Sequence, residues 1–100
     1  MEEQNFNWKQ QLNKIASVYK PMIEQNPEPK SIREFAFLIN DIIERGSLFP
    51  RIEMLLNRYI GVLERYAEVI ENSSPKSDEY REGLNFISEV FAGIEKLSVL

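Results

Sequence analysis

Two consecutive heptads, Leu56-Asn57-Arg58-Tyr59-Ile60-Gly61-Val62 and Leu63-Glu64-Arg65-Tyr66-Ala67-Glu68-Val69, decide how the chain is read. Each has leucine first, arginine third, tyrosine fourth and valine last. They lie within one amphipathic stretch, Ser47–Glu71. At about 100° per residue, Ile52, Leu56, Tyr59, Leu63, Tyr66 and Ile70 fall on one line, at spacings of 4, 3, 4, 3 and 4 residues. That is the spacing of an inward-facing helical seam. Leu55, Val62 and Val69 widen the apolar face on one flank, and Phe49, Ile60 and Ala67 on the other. The arc covers roughly half the cylinder, where a simple surface helix needs only about 100°. This helix is therefore expected to touch more than one neighbour. Two heptads fall short of the roughly three or four that an extended coiled coil requires.

The edges of the same helix are sorted by charge. Arg51, Arg58 and Arg65 recur every seven residues beside the Leu55/Val62/Val69 flank, and Glu53, Glu64, Glu68 and Glu71 lie on the other side. One reading makes these solvated edges that pair with adjacent helices. The other makes the arginines an anion-binding ladder. The net charge of −4 weighs against a phosphate-rich partner.

Working outward, Asn7 suits a helix N-cap with Gln10 as its capping-box partner. Trp8, Leu12, Ile15, Tyr19 and Met22 then form an apolar line, with Ala16 and Ile23 beside it. Pro21 lacks an N–H and biases Lys20 away from helical angles. The first helix either stops near Tyr19 or kinks and continues to Gln25, and the unbroken apolar phase favours the kink. Asn26-Pro27-Glu28-Pro29-Lys30 reads as a loop. Ser31-Ile32-Arg33-Glu34 reads as a capping box that opens a second helix, which runs to Arg45 and ends at a left-handed Gly46. Ile32, Phe35, Ala36, Ile39, Ile42 and Ile43 form its core face. Gly46-Ser47 makes a very short connection, with Ser47 as cap and Pro50 in the first turn of the third helix. After a second loop at 72–78, helix four starts at Pro75 or after a Ser77 cap and ends near Leu97, with 98–100 frayed. Tyr80, Leu84, Ile87, Phe91 and Ile94 form its seam. Residues 1–5 are expected to fray. No segment alternates as a strand would. The fold expected is all-α: one domain, 1–100, an up-down-up-down antiparallel four-helix bundle with helix one kinked or broken at Pro21.

The chemistry expected is sparse. Histidine and cysteine are both absent, which removes the commonest general base, ordinary zinc sites and most nucleophilic triads. It also removes the histidine-bearing di-iron motif of helical bundles. Gly46, Gly61, Gly83 and Gly93 are isolated, so there is no phosphate-cradling glycine loop. Glu64, Glu68 and Glu71 lie close together on one helix face and could bind a divalent cation, and MazG-type pyrophosphatases hold magnesium with clustered acids, but the pattern here does not match theirs. Those acids point inward from two helices, whereas Glu68 and Glu71 point away from the apolar seam. Glu79 and Glu82 begin helix four, where acids suit the helix dipole. Size and architecture are similar to small bacteriocin-immunity proteins, a likeness of fold class only. The acidic start, Met1–Asn5, is the reverse of a signal peptide, and no apolar run approaches the ~18 residues of a membrane span. The expectation is a cytoplasmic, non-enzymatic protein with no metal or cofactor and no nucleic-acid or membrane partner.

A protein partner has three candidate footholds, of which the third, the Leu55/Val62/Val69 edge of helix three, reads rather as core. Phe37 lies nearly opposite the core face of helix two, beside Arg33, Asn40, Asp41 and Glu44. It is either covered by helix one or a loop, or it anchors an interface. On helix four, Phe86, Val90, Gly93 and Leu97 form a second apolar line, about 80° from the seam. Gly93 costs about 1 kcal/mol relative to alanine in a helix, which suggests a second backbone close by. This line packs inside the bundle or meets a second copy across a two-fold axis. The leading expectation is a small protein–protein interaction module, adaptor or regulator, with self-association among its modes. The alternative is a ligand-binding bundle with a pocket lined by Trp8, Tyr19, Tyr59, Tyr66, Tyr80 and Phe91.

Overall fold

The long Ser47–Glu71 stretch becomes the longest of four helices in the computed structural model, which describes residues 6–97 and residue 99. In chain order these are α1 (Trp8–Gln25), α2 (Pro29–Arg45), α3 (Pro50–Asn72) and α4 (Asp78–Leu97). No strand occurs among the described residues. The frayed ends expected at 1–5, 98 and 100 lie outside them.

α3 packs on both α2 and α4, as its wide apolar arc requires, and α1 closes the ring by packing on α2 and α4. The diagonal pairs, α1 with α3 and α2 with α4, have no close backbone contact. Side chains fill the space between them. Phe35 of α2 stacks on Phe91 of α4 with ring centroids 4.8 Å apart, and on Tyr19 of α1 at 5.6 Å. Stacked rings at such distances are worth about 0.5–1.5 kcal/mol beyond area burial. The interior of α3 is Leu56, Leu63, Ala67 and Ile70. α2 contributes Ile32, Phe35, Ala36, Ile39 and Ile42, and α1 contributes Leu12, Ala16 and Ile23. Fully burying one such large side chain is worth about 1.5–3 kcal/mol. Ser31 is the only buried polar residue among those described, and no buried side-chain nitrogen or oxygen among them lacks a partner.

The helix starts show where local signals prevail. Asn7 Oδ1 accepts from the Gln10 amide at 3.1 Å, and Ser77 Oγ accepts from the Tyr80 amide at 3.2 Å. α4 thus takes the Ser77 start. α2 corrects the expected capping box. It begins at Pro29, three residues early, with Glu28 at the cap, and Ser31 is buried inside the first turn. A proline at the first helical position loses only an N–H that would be unpaired anyway. α3 likewise starts at Pro50 after Phe49, with no side-chain cap, so Ser47 is not the cap. The α2–α3 connection is therefore 46–49. Gly46 has φ −94° and ψ 153°, which is extended rather than left-handed. α1 runs through Pro21 to Gln25. Pro21 and Ser17, whose carbonyl loses its donor, both lie on the exposed side, where water can solvate that carbonyl.

Candidate functional site

The expected partner-binding residues fall on two separate helices. Arg33 and Phe37 lie one turn apart on α2. Phe37 is 70% exposed, so neither α1 nor a loop covers it. Arg33 reaches across to α3, where its Nη2 donates to Glu71 Oε1 at 2.8 Å. That bond holds the Arg33 guanidinium above its ordinary pKa, with desolvation working against it and the Glu71 and Glu68 charges adding to the rise. Arg33 is thus a tie between helices beside an uncovered aromatic.

The α4 line is split by packing. Val90 and Leu97 are buried in the core. Phe86 sits at the rim, stacked on Tyr66 of α3 with centroids 4.9 Å apart and rings only 9° from parallel. Gly93 is approached not by a backbone but by a side chain: a methyl group there would collide with the hydroxyl end of Tyr59. The glycine makes room for the tyrosine ring. Burial pushes the Tyr59 hydroxyl above the ordinary tyrosine value of 10.0, with Arg58 pulling the other way. Tyr19 is also raised, first by burial and then by Glu34, to which its O–H donates at 3.4 Å.

The six aromatics of the ligand-pocket reading do not line one cavity. Tyr19 and Phe91 belong to the stacked column, Tyr59 fills the space over Gly93, and Tyr66 carries Phe86. A cleft of about 220 Å³ between α1 and α4 is lined by Ile23, Glu24, Leu84, Ile87, Ser88 and Phe91. It is smaller than the ~300 Å³ at which ligand pockets usually begin. Among the described residues no three acids are grouped to hold a metal ion. Glu64, Glu68 and Glu71 are exposed, and Glu71 is committed to Arg33.

A third surface emerges at the amino-terminal half of α3. Phe49, read from sequence as an inner flank, stands just outside the helix and is 78% exposed. Met54 is 69% exposed. Arg51, Ile52, Met54, Leu55, Arg58 and Leu97 wall a groove of about 310 Å³. Ile52 is shared with a second hollow of about 400 Å³ walled by Trp8, Lys9 and Phe49. The apolar surface is thus continuous across Ile52. Sequence reasoning missed Met54, whose signal was a large apolar side chain on the arginine face of α3. It misplaced Phe49, whose signal was the following Pro50, which puts it before the helix. No helix among the described residues is long and apolar enough to cross a membrane. Comparison of the chain with protein-family models, with curated proteins and with solved structures finds no match.

Proposed function

We propose that this chain is a non-enzymatic interaction module that acts by docking another protein onto apolar side chains its own core leaves uncovered. The observation that carries this reading is the pairing of a filled interior with large exposed apolar groups. Phe37, Phe49 and Met54 each expose more than two thirds of their surface, although the core is complete without them. Phe49 and Met54 wall neighbouring hollows that share Ile52, and exposed apolar surface of this kind, edged by polar groups, marks interaction sites. The reading takes the helices to run up-down-up-down, with a bend in α1 at Pro21, and takes the cytoplasm as the setting. Self-association through α4 would rest on Phe86, because Val90 and Leu97 are interior, and light scattering on wild type and Phe86→Glu reads it out.

Site-specific photo-crosslinking in the native host tests the reading. A crosslinker at position 37, 49 or 54 is expected to trap a discrete protein adduct, while the same group at exposed Asn13 or Lys30 is not. Equal, diffuse labelling from all five positions would sink it.

A further inference from the structure

We infer that the outward strip of α3 is a docking groove for one kind of occupant: an acidic amphipathic helix from another protein. This rests on the interaction reading above and names the partner's chemistry. The chain has six arginines. Arg33, Arg45 and Arg81 are ion-paired, to Glu71, Asp41 and Asp78. Arg51, Arg58 and Arg65 carry no ion pair among the described residues, although the protein has 16 acidic residues. Arg65 lies over the Tyr66 ring at 5.6 Å. The unpaired three are the heptad-spaced three, about 10.5 Å apart along the axis at 1.5 Å per residue.

Between these charges the strip is apolar or open. Met54 and Leu55 lie between Arg51 and Arg58, and Gly61 and Val62 between Arg58 and Arg65. A side chain at Gly61 would meet nothing within 4 Å, so the strip has a gap there that a partner's side chain can enter. From Arg51 to Arg65 the strip spans about 21 Å, the length of roughly 14 helical residues. Apolar anchors at i, i+3/i+4 and i+7, flanked by Asp or Glu, would satisfy both features.

Other occupants fit less well. Two copies meeting strip to strip about a two-fold axis would bring arginine against arginine. A strip meeting the acidic edge of a second copy would propagate rather than close. A phosphate polyanion would leave Met54 and Leu55 unused and meet a chain of net charge −4. An acidic helix feels the local arginines more than that net charge, because screening limits the field to about 8 Å at physiological salt.

The test is selection from a displayed library of 16-residue helical peptides with randomised surface positions, followed by fluorescence anisotropy on the winners. Supporting results are enrichment of apolar residues at helical spacing with flanking acids, and a loss of affinity of about tenfold or more with the double variant Arg51→Glu/Arg58→Glu. Gly61→Glu should also weaken these peptides, and because it replaces a mid-helix glycine it should not destabilise the fold. Winners without an acidic bias, or winners indifferent to both variants, overturn the inference. If the winners instead depend on Phe37, the groove is wrong and the interaction reading stands. If no peptide binds an apolar surface at all, both fail.

Discussion

The two charged edges of α3 make the most useful comparison in the molecule. On the acidic edge, Glu71 takes the Arg33 guanidinium from α2 at 2.8 Å, which ties one of its four carboxylates to a neighbouring helix, while Glu53, Glu64 and Glu68 show no ion pair among the described residues. On the arginine edge, Arg51 and Arg58 stand beside exposed Met54 with no counter-ion among the described residues. Both edges flank the same buried line, Leu56, Leu63 and Ile70. Amphipathicity alone does not say which edge a bundle will use. One edge has a neighbour carrying the opposite charge, and the other does not.

The comparison can be broken first at its largest contrast. Leu63→Ala, at a fully buried position, should cost about 2–5 kcal/mol in urea unfolding. Met54→Ala on the open edge should stay within about 0.5 kcal/mol. If the two cost the same, the edge is not open. The next contrast sets two glycines against each other. Gly93→Ala must displace the Tyr59 ring, and overpacking of that kind costs about 1–3 kcal/mol against a helix-propensity gain of about 1. Gly61→Ala meets nothing and should raise stability by about 1 kcal/mol. Gly93→Ala is expected to give a lower thermal midpoint than Gly61→Ala, and a midpoint raised as much by the first as by the second would count against crowding by Tyr59.

Alkaline pH gives a smaller effect. Tyr19 and Tyr59 hold their protons above the ordinary value of 10.0. In the unfolded chain both ionise first, which stabilises that state. Their contribution is therefore complete below about pH 10 and is lost as pH rises through the folded values. The urea midpoint should fall as the pH rises above about 10, and Tyr59→Phe should flatten that fall. The smallest contrast is between the arginines themselves. Arg33→Gln should lower the thermal midpoint slightly at low salt and not at high salt, as an exposed pair does. Arg58→Gln should leave it unchanged at both, and a loss there would reveal a partner within the fold.

Much of this was legible because it is local. Asn7 and Ser77 cap as their side chains dictate, and the seams of all four helices supply most of the interior. Pro29 and Pro50 misled where proline was read as a loop or first-turn residue rather than as the helix start itself. The Arg33–Glu71 tie and the cradle that Gly93 makes for Tyr59 were not legible, since each joins two helices whose relative placement no local pattern encodes.

By itself, the order of side chains determined four amphipathic helices, their rough ends and the sevenfold recurrence of arginine. It did so because turn-to-turn spacing is a property of one helix. Which apolar lines vanish and which stay wet was decided only by tertiary structure. Val90 and Leu97 went inside, while Phe37, Phe49 and Met54 stayed out. A helical wheel orders residues around their own axis, and burial depends on where the neighbouring axes lie.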